Sequence, residues 1–290
     1  PYIEGKTNTP MPLFVKPKHK LSVQDVKDMM RDHYEGTPLD ISNDFGAGLY
    51  KTPYRLSPLN FKVGDREYFN ERPISTQQSG FVFVAQMRST LPDAIGGVLW
   101  FGTDDANMTV FTPVYCCTDK VPVCYSRADG ADYITFSWNS SFWIFNWVAN
   151  MVYPRYDLMM GDVRATQTEL ETTFNEAQEG VEAAAAKLLE KDPAKAKAFL
   201  TNYTNMTAQS TFDTWKRLGE FLVVKYNDGV VKRMKNGQFE RNSIGQPAGV
   251  IRPGYPKEFL EEYVKQTGDR YKMPLSLIHI SEPTRHSLIS

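Results

Sequence analysis

The spacing of apolar residues changes twice along the chain, which predicts three successive kinds of structure. Between residues 22 and 34 apolar positions recur at helical intervals after a Ser-x-x-Asp start, so we expect a helix stopped by Gly36. From Gly80 the period becomes two, and short turn-rich segments separate the apolar runs, which predicts an antiparallel sheet. The expected strands are 80–88, 95–102, 108–115, 121–125 and 132–137. Several of them are apolar on both faces, so we expect the sheet to be covered on both sides.

After residue 137 the pattern becomes helical. Its four expected helices are 141–160, 162–190, 193–209 and 211–226. Asp-Gly and Asn-Gly pairs then predict a small hairpin within residues 225–240, and a final helix should stop at Gly268. The order of helix, antiparallel sheet and helical block predicts an α+β fold.

Composition narrows the classes of function. The 290-residue chain has a formal net charge of −1 with no basic stripe, which argues against a nucleic-acid partner. No apolar run approaches the roughly 20 residues that a membrane span requires. The last segment, "LSLIHISEPTRHSLIS" (275–290), changes character and resembles translated sequencing-adapter read-through, so we exclude its histidines as candidate ligands.

Cysteine and motif content exclude several chemistries. Cys116, Cys117 and Cys124 are too few for a disulfide framework and have no neighbouring histidine for a zinc site, so we expect small buried apolar residues. No metal motif, phosphate-binding loop, dinucleotide fingerprint or serine nucleophile elbow is found.

Three polar clusters are candidate sites, and each also has a purely structural interpretation. His33 and Glu35 could pair with a substrate, or simply end a helix. Arg72 could bind a substrate carboxylate in bidentate fashion with hydrogen bonds from Ser75 and Thr76, or could form a salt bridge beside a turn. The adjacent acids of "GTDDAN" (102–107) could orient an amine or stabilise a tight turn.

Trp138, Trp143 and Trp147 form a fourth cluster, and its functional interpretation is a sugar-stacking platform. Two of them are four residues apart on an expected helix, and this spacing favours a packed core.

Read together, "RDHYEGTPLD", "ERPISTQQSGFVFVAQMRSTLPDAIGGVLWFGTDDANMTVFTPVY" and "FNWVANMV" resemble the C-terminal half of the dipeptidase A family. This family comprises cysteine peptidases of the N-terminal-nucleophile (Ntn) hydrolase superfamily. The resemblance extends from Pro1 to about Pro274. It implies a four-layer αββα fold, hydrolysis of dipeptides and no metal or other cofactor. Residues 95–125 are also similar to hairpins of bile-salt and penicillin-V acylases.

The mechanism that the resemblance implies needs a Cys at the mature N-terminus, whose thiol attacks the peptide carbonyl with its own α-amino group as base. Here the first residue is Pro1, so we expect the nucleophile upstream and assign no catalytic residue within the chain. The chain alone should therefore be inactive. The resemblance also favours export to the periplasm or outside the cell, and leaves homo-oligomer formation open.

Substrate-binding roles follow from the same resemblance. His33 or Glu35 should border the cleft, and Arg72 and Thr76 should lie beside it just before a central strand. Asp104 and Asp105 could hold the free amine that distinguishes a dipeptide from a longer peptide.

We expect three segments: the C-terminal part of the hydrolase core (1–137), a helical block with hairpin and closing helix (138–274), and the artefactual tail (275–290). Two alternatives remain, an Ntn amide acylase of the bile-salt or penicillin-V type and a non-catalytic carbohydrate-binding segment.

Overall fold

The computed structural model describes residues 6–10 and 12–273, so the predicted tail at 275–290 lies outside the described residues. The chain divides into two compact units, Pro1–Val224 and Lys225–Ser290. The expected division after residue 137 stays a prediction.

The first unit contains a helix, a hairpin, a three-stranded sheet and three long helices. In chain order its elements are α1 (Val23–Met30), β1 (Asn60–Val63), β2 (Arg66–Phe69), β3 (Phe81–Met87), α2 (Asp93–Gly96), β4 (Gly97–Thr103), β5 (Thr112–Tyr115), α3 (Ser141–Val152), α4 (Tyr156–Leu189) and α5 (Pro193–Tyr226), whose last two residues belong to the second unit.

Helix α1 begins as predicted but ends early. The Ser22 hydroxyl accepts the Asp25 N–H at 3.1 Å, and the Asp25 carboxylate accepts the Ser22 N–H at 2.7 Å, a complete capping box. The helix stops at Met30, six residues before Gly36, because side chains take over the backbone donors that follow. Asp32 accepts the N–H of Tyr34 at 2.6 Å, and Tyr34 adopts a positive φ of 64°.

Strands β3, β4 and β5 form an antiparallel sheet in that order. The β3–β4 register pairs Phe81 with Thr103 and Met87 with Gly97. One face buries Val82 and Trp100 with their neighbours, as alternation predicts. On the opposite face of β3, Phe81, Phe83 and Met87 are 60%, 49% and 60% exposed, so the predicted covering of both faces is absent from β3 within the described residues.

Two expected strands are absent, and one is shorter than predicted. Residues 121–125 contain a 3-10 turn after Pro122, and residues 132–137 form only an isolated bridge between Asp132 and Thr135. Strand β5 begins at Thr112 instead of residue 108 because the side chain of Arg31, which follows α1, and side chains of α4 bond the backbone of the preceding loop. Local alternation carries no information about such distant partners.

The helical block is confirmed, with different boundaries. Pro154 lies in a 3-10 turn that separates α3 from α4, so the helix expected over 141–160 is two elements. The sequence also predicted helix breaks near residues 161 and 210. Both predictions are wrong, because α4 runs through the first position and α5 through the second. Trp215 of α5 stacks on Phe145 of α3 with ring centroids 4.7 Å apart.

The β1–β2 hairpin was not predicted, although its Gly64–Asp65 turn has a recognisable composition, with Gly64 at φ 61°.

Among its described residues, the second unit contains four two-residue strands and an α-helix: β6 (Val231–Lys232), β7 (Met234–Lys235), β8 (Gln238–Phe239), β9 (Val250–Ile251) and α6 (Lys257–Thr267). The Asn236–Gly237 turn joins β7 to β8, and Gly268 ends α6 at φ 59°, which confirms both predictions.

The mixture of helices and antiparallel sheet confirms the α+β class. The four-layer arrangement implied by the resemblance stays a prediction.

Candidate active site

The buried centre of the candidate site is the pair Ser75 and Asp105. The Ser75 hydroxyl donates to Asp105 Oδ1 at 2.7 Å, and Asp105 Oδ2 accepts the Tyr153 hydroxyl at 2.6 Å. The Asn107 N–H also points at Asp105 Oδ1, at 2.7 Å. The Ser75 N–H donates to the Asp32 carbonyl at 3.1 Å. Three of the polar segments predicted from sequence therefore meet through hydrogen bonds.

Arg72 and Thr76 line one small depression of about 10 Å³, with Tyr54, Arg55 and Glu71 among its other walls. The Arg72 side chain is exposed and Thr76 is half-buried, so both are accessible to a ligand. The Thr76 hydroxyl bonds the Gln78 amide oxygen. An accessible guanidinium beside a hydroxyl group suits a small carboxylate.

His33 and Glu35 form a local pair. The His33 Nδ1 lies 3.2 Å from Glu35 Oε1, and the His33 N–H donates to Oε2 at 2.9 Å. The hydrogen bond from His33 lowers the pKa of Glu35 to about 2, so this 53%-exposed carboxylate is charged at neutral pH. The His33 ring is buried edge-on against Tyr156, and its Nε2 has no partner among the described residues.

Asp104 differs sharply from its neighbour Asp105. Asp104 is completely buried at a positive φ of 68°, and Asn146 donates to its Oδ1 at 3.1 Å. Burial, reinforced by the charge of Asp105, raises the pKa of Asp104 well above its usual range. A buried acid that resists ionisation is poorly suited to hold an ammonium group.

Helix α4 holds the loop that carries Asp105. Gln167 donates to the carbonyl groups of Asn107 and Thr109 at 2.8 and 2.7 Å. Arg31 and Glu171 add a buried ion pair that bonds the same loop. Gln167 and Glu171 are four residues apart on one buried helix face, and this polar i, i+4 pair was the sequence signal that could have revealed them.

The cysteines were predicted to be buried, which is wrong for Cys116: Cys116 is exposed, Cys117 is half-buried and Cys124 is buried. The loop after β5 leaves Cys116 at the surface. Burial raises the pKa of all three thiols, that of Cys124 to about 11, so none resembles an activated nucleophile.

The tryptophan cluster packs edge to face. Trp138 meets Trp147 at an interplanar angle of 89°, and the Trp143 indole donates to the carbonyl groups of Asp132 and Thr135. Trp143 and Trp147 are half-buried, whereas Trp138 is 49% exposed. This packing does not present the flat, coplanar rings that suit a sugar-stacking platform.

Beside the cluster lies an open cavity of about 460 Å³ with mainly apolar walls. Phe81, Phe101, Tyr125 and Trp143 contribute its aromatic surface.

Within residues 6–10 and 12–273, no group of three or more His, Cys, Asp or Glu side chains is arranged to hold a metal ion. No helix within these residues has both the length and the hydropathy needed to cross a bilayer.

The family to which the chain belongs follows from a comparison with known protein families. The model of peptidase family C69 matches residues 1–169, which is more than half of the chain. The chain belongs to peptidase family C69. This confirms the family resemblance drawn from the sequence motifs, and the match includes every residue proposed for the candidate site.

Curated relatives of this C69 chain are named as dipeptidases. A probable dipeptidase B of Lactococcus lactis subsp. lactis (strain IL1403) is 27% identical over 229 residues, covering 76% of the chain and 41% of the relative. A probable dipeptidase of Latilactobacillus sakei is 25% identical over 191 residues, covering 66% of the chain and 35% of the relative. The chain therefore spans about two fifths or less of the length of these relatives.

Proposed function

We propose that the chain supplies the substrate-binding part of a cysteine-type dipeptidase. The observation that carries the proposal is the joining of the segments containing His33, Arg72, Thr76 and Asp105 in a family C69 chain. Dipeptides carry an ammonium group and a carboxylate a few ångströms apart, so a dipeptidase needs complementary charges at a small site.

Arg72 is the residue proposed to bind the substrate carboxylate. Its exposed guanidinium presents parallel N–H donors on the depression that Thr76 also lines. The Thr76 hydroxyl would have to exchange its bond to Gln78 for one to the carboxylate.

Glu35 is the acid proposed for the substrate amine. It is both accessible and charged, whereas Asp104 and Asp105 are completely buried. His33 orients Glu35 through two hydrogen bonds. The sequence-based assignment of the amine to Asp104 and Asp105 stays a prediction.

The proposed reaction takes its nucleophile from outside this chain. A terminal Cys thiol would attack the peptide carbonyl while its α-amino group accepts the thiol proton. The peptide C–N bond would then break as that proton passes to the departing amine, and water would hydrolyse the resulting thioester to a carboxylic acid and the free thiol. Charge developing on the carbonyl oxygen would need an oxyanion hole. Arg72 and Glu35 would hold the two ends of the dipeptide so that the carbonyl meets the thiol.

The test compares Ala-Ala with two blocked analogues, N-acetyl-Ala-Ala and Ala-Ala-amide, using the full-length gene product that contains this chain. A dipeptidase should lose at least about tenfold in kcat/KM with either analogue, since each removes one charged contact. Equal rates on all three substrates would contradict the proposal. The 290-residue chain alone should be inactive.

An Ntn amide acylase is the second candidate, and the 460 Å³ apolar cavity favours it because an acyl chain needs such a pocket. Faster hydrolysis of the acetylated substrate, increasing further with a longer acyl chain, would support this candidate.

Partners complete the proposal. We expect no nucleic-acid binding, because the net charge is −1, and sedimentation of the full-length protein would show whether it forms a homo-oligomer. Export from the cytoplasm is also proposed, and cell fractionation would test it.

A further inference from the structure

The segment that carries Arg72 and Thr76 has two buried residues, Pro73 and Ser75, and Ser75 holds it through hydrogen bonds. Ser75 is 1% exposed, whereas Arg72 and Ile74 are exposed and Thr76 is half-buried. Ser75 donates its N–H to the Asp32 carbonyl and its hydroxyl to Asp105, and its oxygen accepts the Asn107 N–H at 3.0 Å. Because proline has no N–H, Ser75 supplies the buried hydrogen-bond donors of this segment and fixes its position together with the packing of Pro73.

Asp105 is fully occupied by protein donors. Its carboxylate accepts the Ser75 hydroxyl, the Asn107 N–H and the Tyr153 hydroxyl, with donor–acceptor distances of 2.6 to 2.7 Å. Hydrogen bonds of this length are strong and directional. Burial and the charge of Asp105 raise the pKa of Tyr153 far above its usual range, so the phenol stays protonated and remains a donor.

Asp105 also reaches the other wall of the depression. The Tyr153 ring meets the Tyr54 ring edge to face with centroids 4.9 Å apart, and Tyr54 lines the depression with Arg72 and Thr76. One carboxylate thus holds the Arg72 segment through Ser75 and supports the Tyr54 wall through Tyr153.

We propose that Asp105 is a positioning residue, which fixes Arg72 and Thr76 through Ser75 and Tyr54 through Tyr153 without touching the substrate. The inference rests on the proposed function and refines it, since it assigns Asp105 to the support of the carboxylate-binding end. A displacement of about 1 Å at such a site lowers activity roughly 100-fold.

The first experiment measures kcat/KM of the full-length gene product and its Ser75→Ala, Tyr153→Phe and Asp105→Asn variants on Ala-Ala and on Ala-Ala-amide. Ser75→Ala should lower the value for Ala-Ala by roughly 10- to 100-fold and change that for the amide less than about threefold, because the amide lacks the charge that Arg72 binds. In an Arg72→Ala background, Ser75→Ala should have little further effect.

The matched control is Ser141→Ala, which removes another buried serine hydroxyl, one bonded to Thr103 at 2.8 Å. Its kcat/KM should stay near that of the wild type on both substrates. Equal losses on Ala-Ala and the amide, or additive effects with Arg72→Ala, would show a merely structural role and overturn the proposal.

Hydrogen exchange of the 290-residue chain separates this proposal from the proposed function. The Ser75 amide should exchange at least about tenfold faster in Asp105→Asn and Ser75→Ala than in the wild type or Ser141→Ala, because its segment loses its buried tie. Unchanged exchange would refute the positioning role. If exchange rises but the full-length wild type hydrolyses no dipeptide, only the proposed function fails.

Discussion

The buried ion pair between Arg31 and Glu171 should dominate the stability of the loop that carries the site. The Arg31 guanidinium donates to both Glu171 oxygens, at 3.1 and 2.5 Å, and Oε1 also accepts the Phe111 N–H at 2.8 Å. The side chains are only 7% and 5% exposed. The substitution Glu171→Leu removes the acid of this pair.

Two lost interactions determine how far Glu171→Leu lowers the free energy of unfolding. Removing one partner of a buried ion pair typically costs about 3–5 kcal/mol, because the remaining charge is left uncompensated. An orphaned buried N–H, here that of Phe111, adds about 1–3 kcal/mol. The carbonyl groups of Ala106 and Thr109 still accept from Arg31 and offset part of the loss. We therefore expect the free energy of unfolding to fall by about 4 kcal/mol, out of the roughly 5–15 kcal/mol typical of a domain.

The assay is urea unfolding of the 290-residue chain, followed by far-ultraviolet circular dichroism at pH 7. The control is Glu169→Leu, an exposed position on the same helix, which should change stability by less than about 0.5 kcal/mol. The double variant Arg31→Leu/Glu171→Leu should be more stable than Glu171→Leu alone, because it does not leave the Arg31 charge uncompensated. A loss below about 1 kcal/mol for Glu171→Leu, or a double variant less stable than the single one, would refute this reasoning.

Three further predictions concern a buried amine, a glycine contact and the thiols. Burial lowers the pKa of Lys27 to about 8, below the 10.5 of the unfolded chain, so the native state carries an unfavourable charge below pH 8. Between pH 8 and 10.5, the free energy of unfolding of the wild type should rise by about 3 kcal/mol relative to that of Lys27→Met. If urea unfolding gives a difference between the two free energies that does not change with pH, this prediction is contradicted. Gly219→Ala should lower Tm, because its Cβ would lie 2.2 Å from the Trp147 ring, whereas Gly180→Ala, with open space, should raise Tm. Exposed Cys116 should react with a thiol reagent in the native chain and Cys124 only on unfolding, which mass spectrometry of labelled peptides would measure.

Elements with local signals were predictable. The capping box of α1, the alternation of β3 and the Asn236–Gly237 turn are each encoded within a few residues. Residues 108–111 were not predictable as a loop, because their apolar residues alternate like a strand while their backbone partners are Arg31, which follows α1, and two side chains of α4.

The site divides in the same way. Sequence motifs identified the segments of His33, Arg72 and Asp105, but not how they are joined. Ser75 and Tyr153 bond Asp105 across separations of 30 and 48 residues, which no local pattern specifies. From the sequence, Asp104 and Asp105 were assigned the same possible role. In the structure their partners differ: Asp105 accepts three hydrogen bonds, whereas one carboxylate oxygen of Asp104 has no partner among the described residues.

The most direct measurement of the central claim is the kcat/KM of Arg72→Ala on Ala-Ala in the full-length gene product, with Arg66→Ala as the control. Arg66 is likewise exposed, but it lies on the β1–β2 hairpin away from the proposed carboxylate contact. Loss of a charged, bidentate contact should lower kcat/KM by roughly 10- to 100-fold for Arg72→Ala and leave Arg66→Ala near the wild-type value. Equal activity of wild type and Arg72→Ala would contradict a dipeptide site at this depression.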